Sequence, residues 1–309
     1  MSQKIVPNIW CQGTAEEAGE FYAGAFAAAG LHATAAVTSR YPQEELLEFQ
    51  EPLAGKPLTV DVIIKGTRLV LINAGNEFTP NPSISFMLNF DPLMFDGDEE
   101  KARAKLTLLW SELSRDGSEM MPLGEYPFAS LYGWVQDQYG VSWQLMLTRP
   151  EGDPRPFVIP ALMFDGPSQN KAAEASDLYV SLFSDVPGGS EIGNRSPYGT
   201  PTGKASAEGL AFGEFRIGEQ WFACMDNGSG VDHPFSCGVS LQVDCADQEE
   251  IDRLWDALSA VPEAEQCGWL EDRYGVSWQI VPANMEELMN RPNAFEHMLA
   301  MHKIVIAEL

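Results

Sequence analysis

One segment of the sequence occurs twice. GWVQDQYGVSWQ at 133–144 returns as GWLEDRYGVSWQ at 268–279, with nine of the twelve positions identical and the copies 135 residues apart. Agreement of this kind over such a distance indicates an internal duplication. We therefore expect two similar modules, and we expect a functional site where equivalent elements of the modules recur.

Other landmarks recur in the same order. Each half begins with an apolar run, a glycine and a helix that carries Tyr and Phe four residues apart, which gives Gly13, Tyr22, Phe26 and then Gly166, Tyr179, Phe183. Turn glycines at 66 and 218 predict hairpins, and alternating apolar residues at 86–91 and 239–244 predict strands covered on one face. Apolar stripes at 106–113 and 251–258 predict helices that pack on a sheet. Each half is thus predicted to run strand, helix, strands, helix, strands, an α+β class.

The segment between the copies, RPEGDPRP at 149–156, contains three prolines and a glycine. Such a segment neither continues a strand nor starts a helix. We predict a first module at 1–149, a linker at 150–156 and a second module at 157–309, with two terminal helices at 283–291 and 293–303. Thr14 with Glu17 predicts a reciprocal cap on the first helix, and Ser168 is the predicted cap of its counterpart.

The composition of the chain restricts the kinds of partner that we expect the protein to bind. The formal net charge of −26 opposes binding to nucleic acid or anionic lipid, both of which reward Lys and Arg. No apolar stretch approaches the roughly 20 residues that span a bilayer, and the sequence shows no charged-then-apolar leader. We expect a cytoplasmic protein without nucleic-acid or membrane partners. The five cysteines include no CxxC pair and predict reduced thiols.

Tandem modules that end in GVSWQ resemble the vicinal oxygen chelate superfamily, which includes glyoxalases, ring-cleaving dioxygenases and bleomycin-resistance proteins. The segments at 121–144, 266–282 (QCGWLEDRYGVSWQIVP) and 300–309 (AMHKIVIAEL) are similar to its PhnB-like branch, which is labelled 3-demethylubiquinone-9 3-methyltransferase. The resemblance implies tandem βαβββ modules that form curved mixed sheets. Because single-module relatives pair by dimerising, it also implies a monomer with paired modules or a homodimer.

Residue types argue against the cofactors of this superfamily. Members that use a metal place a carboxylate where Gln144 and Gln279 fall and a His where Pro7 and Pro160 fall. Neutral amides and prolines are a poor donor set for a divalent metal. Methyl transfer of the usual kind needs a glycine-rich turn followed by an acid, and the sequence shows no such turn. We expect no metal and no other cofactor.

Alternation along the last strand of each half separates two faces. Ser142 and Gln144 share one face, and Ser277 and Gln279 repeat the pattern. We expect these side chains to line the cup that such modules form, with a small-molecule ligand as the partner.

The resemblance also implies a register for the first strands, which places residues that include Cys11 and Phe164 on the cup side. Trp134 and Trp269 are candidates for stacking on the ligand or for core packing, Glu125 is a candidate base or a solvated loop acid, and Cys11 is favoured as an inert thiol. No catalytic residue is assigned, and the predicted ligand-binding set is Gln144, Gln279, Ser142, Ser277, Cys11, Phe164, Trp134, Trp269 and Glu125.

Three hypotheses for function remain. The leading one is a protein that binds a small, partly apolar molecule in sheet-lined cups. The second is an enzyme, either a metal-assisted lyase, isomerase or dioxygenase, or a methyltransferase as the family label suggests. The third is that one module is a purely structural partner of the other.

Overall fold

The computed structural model describes residues 3–44, 46, 48–151 and 154–309. Within these ranges the chain forms four consecutive units, each a strand, a helix and further strands, as the repeat predicts. The first half contains β1 (Ile5–Cys11), α1 (Ala15–Ala28), β2 (Ala33–Arg40), β3 (Pro57–Ile64), β4 (Thr67–Asn73), β5 (Ile84–Phe90), α2 (Glu99–Leu113), β6 (Ser118–Tyr126), β7 (Ala129–Gln136) and β8 (Ser142–Leu147). The second half contains β9 (Val158–Phe164), α3 (Ala172–Leu182), β10 (Ser190–Pro197), β11 (Leu210–Ile217), β12 (Gln220–Asp226), β13 (Val239–Cys245), α4 (Gln248–Leu258), β14 (Trp269–Glu271), β15 (Ser277–Pro282), α5 (Met285–Leu288) and α6 (Ala294–Ala300).

The two halves contribute to both sheets. In the described ranges, sheet A has seven strands in the order β14-β15-β13-β1-β4-β3-β2, and sheet B has eight in the order β10-β11-β12-β9-β5-β8-β7-β6. The halves join where β1 runs antiparallel to β13 and β5 runs antiparallel to β9. Sheet A therefore combines the first and fourth units, and sheet B combines the second and third. The predicted α+β class with curved mixed sheets is confirmed.

The helices pack between the sheets in one continuous core. Gly19 brings α1 close to sheet A, because a Cβ at this position would lie 2.9 Å from Val60 Cγ1. On its other side α1 contacts sheet B, where the ring centroids of Phe26 and Trp143 lie 5.9 Å apart. Phe183, immediately after α3, makes the equivalent contact with Trp278, at 6.3 Å. Burial of these large aromatic side chains stabilises the core.

A buried carboxylate explains why the repeated segment contains Asp and Trp at fixed spacing. Asp137 follows β7 and accepts four hydrogen bonds, from the hydroxyl of Tyr22 (2.9 Å), the indole of Trp143 (2.8 Å) and the backbone N–H groups of Tyr139 (2.8 Å) and Val141 (3.1 Å). Tyr22 lies on α1, which packs on sheet A, whereas Asp137 belongs to sheet B. The carboxylate therefore links the two sheets.

The second copy repeats this arrangement in the opposite direction. Asp272 of sheet A accepts hydrogen bonds from Tyr179 of α3 (2.7 Å), from Trp278 (2.9 Å) and from the backbone of Tyr274 and Val276. Both carboxylates are almost fully buried. Burial raises the pKa of Asp137 to about 6, while its hydrogen-bond donors oppose that rise.

The predicted helix caps are wrong. Neither Thr14 nor Glu17 caps α1, and α3 begins at Ala172, after a short 3₁₀ turn that contains Ser168. Instead, the first backbone N–H of each helix donates to a side chain at the end of a neighbouring strand. Ala15 donates to Asn73 Oδ1 (2.9 Å), and Ala172 donates to Asp226 Oδ1 (3.1 Å). The cap is therefore a tertiary contact, which local spacing cannot show.

The linker and the C-terminal segment agree in part with what the sequence predicts. The predicted linker lies partly outside the described residues, at 152 and 153, and its described residues form neither helix nor strand. The division at 149 and 157 stays a prediction. Two short helices, α5 and α6, lie within the ranges predicted for the terminal helices, and both are shorter than those ranges. Within the described ranges no helix has the length and apolar character needed to cross a membrane.

The C-terminal segment covers the edge of sheet A. In sheet B the edge strand β6 pairs with β7. Within the described residues sheet A has no counterpart of β6, so its edge strand is β14. There the backbone N–H groups of Cys267 and Gly268 donate to the carbonyl oxygens of Met301 (2.8 Å) and His302 (2.7 Å). Leu288, Met301, Ile304 and Leu309 form a small apolar cluster of their own.

We predict that Tyr22→Phe destabilises the protein by about 1.5–3 kcal/mol at pH 7, the usual range for a hydrogen bond to a charged group. The folded-state pKa of Asp137, about 6, lies above the unfolded value of 3.8. The stability contributed by this group therefore falls as pH rises from about 4 to about 6. Protonation at pH 5 removes the charge that Tyr22 stabilises, so the cost of the substitution should be smaller there. Urea unfolding at the two pH values measures both effects.

Tyr41→Phe is the matched control, because this buried tyrosine donates to a neutral acceptor, the carbonyl oxygen of Asn73 (2.8 Å). Its cost should be about 0.5–1.5 kcal/mol and equal at both pH values. An equal pH response in the two variants would show that Asp137 is not the group that titrates.

Candidate functional site

Each sheet has one face against the helix core and one face away from it. We call the face of sheet B that carries Ser85, Ser142 and Gln144 face B, and the face of sheet A that carries Ser240, Ser277 and Gln279 face A. The neighbouring residues Trp143, Leu145, Trp278 and Ile280 lie in the helix core. The prediction that the repeated Ser and Gln side chains point away from the helices therefore agrees with the structure.

The polar centre of face B is a closed hydrogen-bond network. Gln144 accepts a hydrogen bond from the Tyr132 hydroxyl (2.6 Å) and donates to Ser85 Oγ (2.8 Å). Trp134, half-buried beside it on β7, donates its indole N–H to Ser142 Oγ (2.6 Å). Gln144 is only 3% exposed, so both of its polar atoms need these partners.

Beside this polar centre, face B carries an apolar cluster. Met87, Ile159, Ala161 and Ala223 form a buried cluster away from the main core. Half-buried side chains surround it: Met146, Phe212, Trp221 and Met225. This surface has an apolar floor beside one ordered amide, the usual composition of small-molecule sites.

The linker contributes a charged group to the edge of face B. The guanidinium of Arg155 lies 3.8 Å from the centre of the Trp221 ring, within the range of a cation–π contact. It also donates two hydrogen bonds to the Glu214 carboxylate, at 3.1 and 3.2 Å. The linker therefore contributes the Arg155 side chain to the edge of face B.

Face A is more polar than face B. Gln279 donates to Ser240 Oγ (2.9 Å), and Ser277 donates to the thiol sulfur of Cys237 (3.6 Å). Asn8 of β1 donates to the carbonyl oxygen of Val6 (3.1 Å) and to Gln242 Oε1 (3.2 Å).

Aromatic rings border face A. Trp10 and Trp269 are half-buried and meet edge to face with centroids 6.0 Å apart, and Phe78 packs on Trp10 at 5.1 Å. The Trp10 indole donates to the carbonyl oxygen of Gly75 (2.7 Å). Trp134 and Trp269 thus lie next to the repeated Gln side chains on both faces, and their role in a ligand site stays a prediction.

The predicted position of Cys11 and Phe164 is wrong. Both lie in the helix core, on the opposite side of their strands from faces A and B. The resemblance placed the first-strand register one residue out, and a shift of one residue moves every side chain to the other face. Burial raises the pKa of the Cys11 thiol to about 12, so this thiol stays protonated at neutral pH, as expected for an inert cysteine.

Glu125 is exposed on β6. In the neighbouring hairpin, Tyr126, Phe128 and Tyr132 contact one another with centroids 5.0–5.6 Å apart. The structure therefore shows a solvated acid beside an aromatic cluster, the alternative that the sequence analysis left open.

A separate groove of about 660 Å³ lies where the two sheets meet. Gln220, at the start of β12, lines it and bonds to both the N–H (3.2 Å) and the carbonyl oxygen (2.7 Å) of Ile5. Neither Gln144 nor Gln279 borders this groove. Gln220 thereby links sheet B to the first strand of sheet A.

The donor atoms on faces A and B do not fit the metal that the superfamily uses. With the observed register, the first-strand residues that face the sites are Asn8 and Ala161, and the last strands contribute Gln279 and Gln144. Carboxylates and imidazoles are the usual ligands of such metals. Within the described ranges, His, Cys, Asp and Glu form no group of three or more that could hold a metal.

Sequence reasoning missed several residues of these faces. The correct register of β1 would have found Asn8, and Gln242, Ser85 and Ser240 lie on strands whose alternation was visible. Tyr132 and Arg155 carried no such signal, because their contacts with Gln144 and Trp221 depend on strand pairing and on the path of the linker.

Repeated strand–helix–strand units on curved mixed sheets, with helices on one face only, define a protein of the vicinal oxygen chelate fold. The chain belongs to the family described as 3-demethylubiquinone-9 3-methyltransferase, whose model matches residues 3–146 and 156–281.

Similar solved structures include a PhnB protein from Bacillus cereus that is described by the same methyltransferase name. It is 30% identical over 47% of this chain and 100% of its own, with a TM-score of 0.38. Glyoxalase I from Zea mays is 9% identical over 92% of this chain and 93% of its own, with a TM-score of 0.49. A Bacillus subtilis protein described as a dioxygenase is 11% identical over 89% and 83%, with a TM-score of 0.44. A comparison with curated proteins gave no match.

We predict that the chain, purified without chelators and dialysed, carries far less than one equivalent of transition metal, because neutral amides replace the usual donors. Elemental analysis by mass spectrometry measures this directly. Retention of about one metal ion per module, lost on substitution of Gln144 or Gln279 by Leu, would contradict the prediction.

Proposed function

We propose that the protein binds a small, partly apolar molecule in the cup that face B forms. The observation that carries the proposal is the second apolar cluster, Met87, Ile159, Ala161 and Ala223, which lies on the face without helices. A cluster there is not needed to hold the helices, which pack on the opposite face. An apolar surface with a few ordered polar groups is typical of a ligand site.

Methionines make this surface adaptable. Met87 is buried, and Met146 and Met225 are half-buried around it. Methionine has three rotatable bonds and a polarisable sulfur, so it can move aside and repack around ligands of different shape. This favours an apolar or aromatic ligand whose outline need not match the empty face.

The Gln144 network supplies orientation. Gln144 is held by Tyr132 and Ser85 on both sides of its amide. Burial raises the pKa of the Tyr132 hydroxyl, so this group acts as a hydrogen-bond donor and not as a base near neutral pH. The network therefore supports binding, and the ligand would contact ordered polar groups at one end and apolar side chains elsewhere.

The family's methyltransferase description does not by itself assign a reaction. A parallel strand, a glycine-rich turn and a helix form the usual cofactor site of nucleotide-type folds. Here β1 leads into α1 through Gln12, Gly13 and Thr14, a turn with a single glycine. We therefore propose binding and leave methyl transfer as an outcome that a titration with S-adenosylmethionine would reveal.

We predict that N-phenyl-1-naphthylamine, a neutral apolar dye, binds saturably with a rise in its fluorescence. Met87→Gln should weaken this binding about tenfold, because a buried Met side chain contributes roughly 1.5–3 kcal/mol. Leu108→Gln is the matched control, since Leu108 is an exposed apolar residue of α2, 53% exposed. No saturable binding, or equal weakening in both variants, would count against the proposal.

A further inference from the structure

The duplication allows faces A and B to be compared position by position. Across the hairpins, Ile64 pairs with Thr67 in sheet A and Ile217 pairs with Gln220 in sheet B. Across the central strands, Asn8 pairs with Ser240, and Ala161 pairs with Ser85. These registers make the two sheets equivalent, with each residue of face A matched to one residue of face B.

One set of residues is the same on both faces. Gln279 matches Gln144, Ser277 matches Ser142, and Ser240 matches Ser85, and the amide of each Gln donates to the matched serine of the central strand. Trp269 matches Trp134. The shared frame is therefore a Gln, two Ser and a Trp.

The centre of the two faces differs. Face A carries Asn8 and Gln242, which bond to each other at 3.2 Å. Face B carries Ala161 and Met87 at the matched positions. A pair of amides in one face is thus replaced by a pair of apolar side chains in the other.

Face A presents carbonyl oxygens that accept no hydrogen bond. The amide N–H₂ of Asn8 is turned towards Val6 and Gln242, so its Oδ1 points away from them, and no group in the described part of the chain donates to it. On face B the oxygen of Gln144 accepts from Tyr132. The position of Tyr132 corresponds to Cys267 in sheet A, and in the same ranges no residue donates to Gln279 Oε1.

The charge around face A is negative. Arg68 of β4 is bonded to Asp61 through two hydrogen bonds, at 2.6 and 3.1 Å. Burial lowers the pKa of Arg68, but the nearby carboxylates of Asp61, Asp244 and Glu286 outweigh burial and raise it. Lys4 pairs with Glu250 at 2.7 Å. Such surroundings disfavour an anionic ligand and favour one that donates hydrogen bonds.

We propose that face A is a second binding site, distinct from that of face B, for a flat polar molecule with amino or amide N–H donors, of the class of amino-substituted heterocycles. The free oxygens of Asn8 and Gln279 accept its hydrogen bonds. The half-buried rings of Trp10 and Trp269 contact its apolar plane.

Adenine is the probe, titrated calorimetrically into the full chain. We expect one saturable site, weakened at least tenfold by Asn8→Ala and also by Gln242→Met, each of which installs the residue that face B carries. Purine, which lacks the exocyclic amine, should bind at least tenfold more weakly than adenine, because an acceptor left unpaired is costly. Thermal unfolding of both variants shows whether they remain folded.

Met87→Gln, on face B, is the matched control and should leave adenine binding unchanged. The proposal fails if adenine does not bind, if purine binds equally well, or if Met87→Gln weakens adenine as much as Asn8→Ala does. Face B is tested separately by the apolar dye, so dye binding without adenine binding overturns this inference alone, and adenine binding without dye binding overturns the proposed function alone.

Discussion

Two buried carboxylates hold this structure together. Asp137 in sheet B binds Tyr22 of the helix that packs on sheet A, and Asp272 in sheet A binds Tyr179 of the helix that packs on sheet B. Each carboxylate also accepts from two backbone N–H groups and an indole, which offset part of the cost of burying its charge. The two contacts are reciprocal, and together they set how the sheets face each other.

This arrangement leaves one face of each sheet without helices. The helices lie between the sheets and cover the inner faces, so the repeated Ser and Gln side chains remain on the other side. The duplicated frame of Gln, two Ser and Trp persists on both faces, while the residues at the centre have diverged. The residues that differ, Asn8 and Gln242 on face A and Ala161 and Met87 on face B, lie outside the turns that the two carboxylates organise.

Much of the fold was predictable. The repeat predicted the order of elements, and period-two alternation placed Gln144 and Gln279 on the face away from the helices, because alternation along one strand is a local property. The register of β1 and β9 was wrong, since both faces of these central strands are largely buried and Asn8 is their one polar residue, so alternation does not distinguish the faces. The caps from Asn73 and Asp226, and the contacts of Tyr132 and Arg155, arise between residues far apart in sequence.

The sequence by itself determined that the chain is a duplicated α+β protein with two equivalent polar positions and a poor donor set for metal. Those properties follow from residue types, spacing and alternation. Only the tertiary structure decided that each sheet combines strands of both halves, that Cys11 and Phe164 lie in the core, and that Asn8 and Met87 occupy the centres of two unlike faces. Strand pairing is a contact between distant segments, and a single sequence does not record which strands become neighbours.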